Sequence, residues 1–154
     1  MKTCLLEPFF LRNIPENIGM IEIMDSLNIF SLNNCNLDNK PGNFSGGELQ
    51  RLSILRAVFF NPEILLMDEP VSGLDRFVLY DTIEFLKKLQ SNKNLTIFIV
   101  SHDLEFIENI SEFIYIIYNG EIVEYGITSQ VLNQPSNQYT IDLINSRDLS
   151  GVKK

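Results

Sequence analysis

The stretch Ile64-Leu65-Leu66-Met67-Asp68-Glu69-Pro70 joins a continuous apolar run to two adjacent carboxylates and a proline. Continuous rather than alternating hydrophobicity predicts a strand that is buried on both faces, as in a parallel sheet. In open α/β sheets, ligands bind beyond the carboxyl ends of the strands, and Asp68 and Glu69 would lie at such an end. One carboxylate could hold Mg²⁺ through waters, while the other orients or deprotonates an attacking water. The alternative is a polar turn closed by Pro70.

A second β-rich apolar run, Leu95–Val100, follows one predicted helix later in the chain. Asp75 can cap that helix, whose apolar spacing continues to about Gln90. A strand–helix–strand connection returns the chain in the parallel direction. We therefore predict that residues 64–67 and 95–100 are neighbouring parallel strands of an α/β fold.

The chain's single histidine, His102, comes just after the second of these runs. A histidine in that place can donate a hydrogen bond to a phosphate oxygen. Because parallel strands end at the same edge, we expect His102 and Asp68 to lie at one edge of the sheet. The alternative is a helix-entry residue beside the capping candidates Ser101 and Asp103.

Ser45-Gly46-Gly47-Glu48 opens another predicted helix, because a serine followed three residues later by a glutamate is a capping box. The free N–H groups and the positive dipole end of a helix N-terminus bind anions. Two glycines let the backbone approach a phosphate closely. The alternative is a capped helix with no ligand.

These motifs stand in an order that resembles the second half of an ABC-transporter ATP-binding subunit. They are residues 44–51, the run 64–67 with Asp68-Glu69-Pro70, residues 72–75, and residues 101–103. The resemblance covers nearly the whole chain. It implies an α/β fold that is a partial P-loop NTPase-type nucleotide-binding domain, with a remnant of a parallel sheet, flanking helices, an N-terminal helical subdomain and a β-hairpin near the C-terminus.

The resemblance also implies roles for individual residues. Ser45, Gly46 and Gly47 match the signature motif, which contacts the γ-phosphate of ATP held by the opposite subunit of a dimer. Asp68 matches the Walker B aspartate that supports Mg²⁺, and Glu69 matches the catalytic glutamate that positions the hydrolytic water. Asp75 matches the D-loop aspartate at the dimer interface. His102 matches the switch histidine that senses the γ-phosphate.

A subfamily is indicated by residues 6–8, residues 69–75 and the tail from Val131 to Thr140, which look like the importers of oligopeptides, dipeptides and nickel. Phe44 and Glu48 depart from the usual Leu and Gln of the signature, both at flanking positions. The resemblance implies ATP and Mg²⁺ as cofactors, a second ATP-binding subunit and transmembrane permease subunits as partners, and a cytoplasmic place on the inner face of the cell membrane.

The P-loop motif G-x-x-x-x-G-K-[ST] is absent, since no glycine of the chain is followed by lysine. That loop supplies the backbone cradle, the phosphate-binding lysine and the Mg²⁺-binding hydroxyl. The chain thus looks like the C-terminal part of a subunit that couples ATP hydrolysis to import, and we expect it to be inactive alone. The alternative is a non-catalytic remnant or regulatory partner that pairs with an intact subunit. Missing strands would leave part of the sheet uncovered.

Length and composition favour one domain over residues 1–154, in three sections: a helical subdomain with the signature (1–60), a core (61–126) and a helical tail (127–154). Asn119-Gly120 predicts a hairpin within the core. The 12 basic and 20 acidic residues leave a net charge of −8, which argues against nucleic-acid partners. No apolar run approaches the roughly 20 residues of a membrane span. The two cysteines are expected to be reduced thiols.

Overall fold

The computed structural model describes residues 1–73, 75–92 and 95–150, apart from the side chains of 92 and 147–150. Leu74, within the predicted 72–75 motif, therefore lies outside the described residues. The helices and strands run in the order Lys2–Leu11 (α1), Glu16–Ile29 (α2), Gly46–Val58 (α3), Ile64–Asp68 (β1), Arg76–Asn92 (α4), Thr96–Val100 (β2), Leu104–Ile110 (α5), Phe113–Tyr118 (β3), Glu121–Ile127 (β4), Thr128–Asn133 (α6) and Gln138–Ser150 (α7). A short 3₁₀ turn, Pro41–Asn43, precedes α3.

The chain forms two compact units, Met1–Val100 and Ser101–Lys154. In the first unit α1, α2 and α3 pack together around fully buried side chains, and Phe9 of α1 meets Phe59 with ring centroids 5.1 Å apart. In the second unit, α6 packs against the hairpin and α5. The predicted partition of one domain into three sections stays a prediction.

The two strands of the first unit are parallel neighbours, as the sequence predicts. Ile64 lies opposite Thr96, and Asp68 lies opposite Val100. The helix between them, α4, begins one residue after Asp75, where the capping pattern places it. The strand–helix–strand order and the in-register pairing confirm the predicted α/β arrangement of these segments.

The predicted burial of the first strand on both faces is wrong for this chain. Leu65 and Met67 are only 7% and 8% exposed, but Leu66 is 75% exposed, and Phe98 opposite it is 54% exposed. An apolar run shows that both faces can be buried, whereas actual burial needs something packed against each face. The exposed face agrees with the expectation of a partly uncovered sheet.

Helix α1 contains a proline, Pro8, in its interior. The helix tolerates it because Leu5, Leu6 and Phe9 around it are buried, with exposures of 0%, 3% and 0%. Tertiary packing of one apolar face contributes more to a short helix than the intrinsic preferences of its residues do.

The predicted hairpin is present in the second unit. Strands β3 and β4 pair antiparallel across Asn119 and Gly120, whose φ values are 50° and 82°. Positive φ at both central residues is what a two-residue type I′ turn requires. The second strand of the hairpin ends at Ile127. Nowhere in the described ranges is a helix both long and apolar enough to cross a membrane.

Candidate functional site

The carboxyl edge of the parallel pair is held by backbone hydrogen bonds around Glu69. Its N–H donates to the carbonyl of Val100 at 2.8 Å, and its own carbonyl accepts from the N–H of Ser72 at 3.2 Å. Its φ is 46°, a left-handed conformation that is uncommon for residues other than glycine. The turn after β1 is therefore tied directly to the end of β2, with Pro70 buried inside it.

The two carboxylates at this edge have different surroundings. Asp68 is exposed, on the same face of β1 as the exposed Leu66, whereas Glu69 is half-buried. Across the part of the chain that the structure describes, no group of three or more His, Cys, Asp or Glu side chains could hold a metal ion. Mg²⁺ is commonly bound by one or two carboxylates together with waters and substrate phosphates, and the exposed carboxylate of Asp68 is a ligand of that type.

The turn Ser45–Gly47, here called the signature turn, has the predicted capping box. Ser45 Oγ accepts from the Glu48 N–H at 3.2 Å, and the Ser45 N–H donates to Glu48 Oε2 at 2.8 Å. The backbone and side-chain hydrogen bonds from Ser45 lower the pKa of Glu48. The thiol of Cys35 also donates to Glu48 Oε1, at 3.6 Å. Glu48 therefore stabilises the turn locally.

Gly47 is buried, in contrast to the exposed Ser45 and Gly46. A Cβ placed on Gly47 would lie 2.4 Å from Cγ1 of Val78 on α4. That distance is far inside van der Waals contact, which for carbon atoms is about 3.5–4.0 Å. Gly47 is thus required by the packing of α3 on α4, a reason that the sequence pattern did not reveal.

Asp75 caps α4 as predicted, since its Oδ1 accepts from the N–H of Val78 at 3.0 Å. Further along the same pair of helices, Arg51 Nη1 lies 3.7 Å from Asp81 Oδ2. The side chain of Arg51 is only 13% exposed and that of Asp81 is 69% exposed. Helices α3 and α4 pack against each other in the first unit. The signature turn at the start of α3 and the capping residue Asp75 at the start of α4, here called the Asp75 turn, therefore belong to one packed pair of helices. Sequence reasoning missed Val78 and Asp81, because no local motif marks either residue.

His102 lies in the second unit and is exposed. Ser101 and Asp103, the predicted capping residues on either side of His102, both accept backbone hydrogen bonds. Asp103 Oδ1 accepts from the Phe106 N–H at 2.9 Å, and Ser101 Oγ accepts from the Asp103 N–H at 3.1 Å. The expected proximity of His102 and Asp68 stays a prediction. Of the predicted site residues, Ser45, Gly46, Gly47, Asp68, Glu69 and Asp75 belong to the first unit.

The amino-acid sequence of this chain is similar to those of known proteins. Residues 7–72 match the family model described as ABC transporter. The chain is 35% identical over 124 residues to the dipeptide transport ATP-binding protein DppF of Lactococcus lactis subsp. cremoris. This alignment covers 80% of this chain and 40% of that protein. The chain is 40% identical over 110 residues to the oligopeptide transport ATP-binding protein OppF of Streptococcus pyogenes serotype M1, with 71% of this chain and 36% of that protein covered. The chain belongs to the ABC transporter ATP-binding family.

Membership in the ABC transporter family agrees with the fold. A solved ATP-binding cassette of an ABC transporter, MJ1267, superposes with a TM-score of 0.70 at 26% identity, covering 81% of this chain and 49% of that chain. This confirms the predicted P-loop NTPase-type fold. The chain spans about two fifths of the length of the curated ABC transporter relatives it matches.

Proposed function

We propose that this chain forms part of an ATP-binding subunit that couples ATP hydrolysis to the import of oligopeptides or dipeptides. The observation that carries the proposal is the edge of the parallel pair, where Asp68 lies opposite Val100 and Glu69 donates its N–H to that residue's carbonyl. Ligands of α/β sheets bind at such edges. The names of the relatives DppF and OppF support a peptide as cargo.

Each site residue has a proposed part in this function. The exposed carboxylate of Asp68 supports Mg²⁺, which supplies charge stabilisation to the transferred phosphoryl group. The half-buried carboxylate of Glu69 orients the attacking water and accepts its proton. His102 donates a hydrogen bond to the γ-phosphate. Burial at the turn and the hydrogen bonds to Val100 and Ser72 support the positioning of Glu69.

The signature turn and Asp75 are proposed to face a second ATP-binding subunit. The N–H groups at the start of α3 are oriented by the Ser45 cap, and a helix N-terminus favours an anion such as the γ-phosphate of ATP bound to the partner. Permease subunits and a place on the inner face of the cell membrane complete the proposed assembly.

A second candidate function is a non-catalytic partner that regulates an intact subunit. The 154 residues contain no G-x-x-x-x-G-K-[ST] motif of their own. Phosphoryl transfer relies mainly on positioning and on charge stabilisation around the β- and γ-phosphates, which that motif supplies. We therefore expect the purified chain alone to release no phosphate from ATP above background.

The decisive experiment mixes the purified chain with a full-length relative whose P-loop is intact but whose own signature serine is replaced. If the chain supplies a signature turn, Mg²⁺-dependent phosphate release exceeds that of the disabled relative alone. Ser45→Ala should abolish the gain, whereas Ser91→Ala, which deletes a hydroxyl from an exposed serine of α4, should keep it. Binding without any gain would favour the regulatory partner, and no binding at all would refute both functions.

A further inference from the structure

Helices α3 and α4 meet at a contact that leaves no room for a side chain on Gly47. The 2.4 Å separation of an added Cβ from Val78 Cγ1 cannot be relieved by a small rotation, because valine is stiff at χ1. The Cβ of Val78 is itself 3.6 Å from the same point, which is an ordinary contact. The obstacle is therefore a single methyl group of Val78 against the backbone of the signature turn.

The backbone of Val78 is held on both sides. Its N–H donates to Asp75 Oδ1 at 3.0 Å, and its carbonyl accepts from Thr82 Oγ1 at 2.8 Å. Thr82 is fully buried. Val78 thus contacts the signature turn through its side chain and the Asp75 turn through its N–H, so one residue joins the two turns.

A second contact between the same helices lies further along α3 and α4. Arg51 Nη1 and Asp81 Oδ2 approach to 3.7 Å, and because the Asp81 side chain is 69% exposed the pair is a weak, solvent-screened contact. A movement of the signature turn relative to α4 would disturb both contacts.

We propose that Val78 is a positioning residue that couples the signature turn to Asp75, so that the two turns are presented to a partner subunit as one rigid surface. The functional part of this inference rests on the proposed function, in which both turns face the partner's nucleotide. Val78 itself touches neither nucleotide nor Mg²⁺ in this scheme.

The coupling is tested on the full chain with Gly47→Ala, Val78→Ala and the double variant, by amide hydrogen exchange at Glu48 and Val78, the two capped N–H groups. Gly47→Ala should speed exchange at both amides by about tenfold, as expected for overpacking. In the double variant the added methyl meets only the Cβ of residue 78, so exchange should return to the rate of Val78→Ala. A double variant that exchanges as fast as Gly47→Ala, or a Gly47→Ala chain with unchanged Val78 exchange, would overturn the coupling.

Ile83→Val is the matched control, since it removes one methyl from a buried residue of α4 outside this contact. In the mixture with the signature-disabled relative, Val78→Ala should lower the maximal turnover severalfold while Ile83→Val does not. Equal turnover of these two variants would overturn the functional part. If the wild-type chain gives no gain in turnover, the proposed function fails, and the exchange rates still decide whether Val78 couples the turns.

Discussion

The parallel pair β1–β2 and the hairpin β3–β4 are both two-stranded and both leave an apolar face exposed, yet they carry different kinds of residues. The hairpin is closed locally by Asn119 and Gly120, and its exposed face carries Tyr115 stacked on Tyr125 across the strands at 5.8 Å. The parallel pair is closed only through α4, and its carboxyl edge carries Asp68 and Glu69. Strands joined through a helix bring together residues that are far apart in the sequence, as a binding site requires. A hairpin brings together only residues that are close in the sequence.

The largest expected effect concerns Glu69 at that edge. In a chimera that joins the P-loop-bearing portion of a relative to this chain, Glu69→Gln should retain ATP binding and lower turnover by about 10²–10⁴-fold, because the amide keeps the shape but cannot accept the proton of water. Phosphate release and nucleotide binding are measured together. Glu63→Gln, at the opposite end of β1, is the control and should be neutral. Undiminished hydrolysis by Glu69→Gln would remove Glu69 from the catalytic role.

The two faces of β1 should differ in their contribution to stability. Leu65→Ala removes a buried side chain and should lower the free energy of unfolding by about 2–5 kcal/mol. Leu66→Ala, its 75% exposed neighbour, should change it by less than about 0.5 kcal/mol. Urea unfolding of both variants tests this. A comparable loss in Leu66→Ala would mean that a partner chain covers that face in solution.

The hairpin turn should tolerate little change in backbone conformation. Gly120→Ala places a side chain at φ 82° and should cost about 1–2 kcal/mol, although there is open space around the position. Gly42→Ala, also in open space, is the control without a left-handed φ. Thermal unfolding should separate the two variants, and equal melting temperatures would contradict the strain.

A pH-dependent effect is expected at Glu124 in β4. Burial by itself would raise the pKa of Glu124, but the Thr140 hydroxyl and hydrogen bonds from Ser136 and Asn137 lower it to about 2. A carboxyl whose folded pKa lies below its unfolded value of about 4.3 stabilises the fold above that pH, and the contribution is lost as pH falls towards 2.

Urea midpoints measured from pH 6 down to pH 2.5 should therefore converge between wild type and Glu124→Gln as the pH falls. Glu121→Gln, an exposed carboxylate of the same strand, controls for the change in net charge. A constant difference between wild type and Glu124→Gln over this range would show that the Glu124 carboxylate does not contribute in this way.

Local features were predictable because their interactions span only three or four residues. The caps at Ser45, Asp75 and Asp103 follow from the residue types at fixed spacing, and the hairpin follows from Asn119-Gly120. The order of strands and helices follows from hydrophobic periodicity in the same way.

The amino-acid sequence by itself thus determined the parallel pair, the hairpin, the caps, the family and the two carboxylates at the end of β1. The tertiary structure alone decided that Pro8 sits within a helix, that one face of β1 stays exposed, and that Gly47 must be glycine because Val78 lies against it. The physical reason is distance along the chain. A hydrogen bond from a cap is encoded by its immediate neighbours, whereas the approach of α3 to α4 depends on how every intervening segment packs.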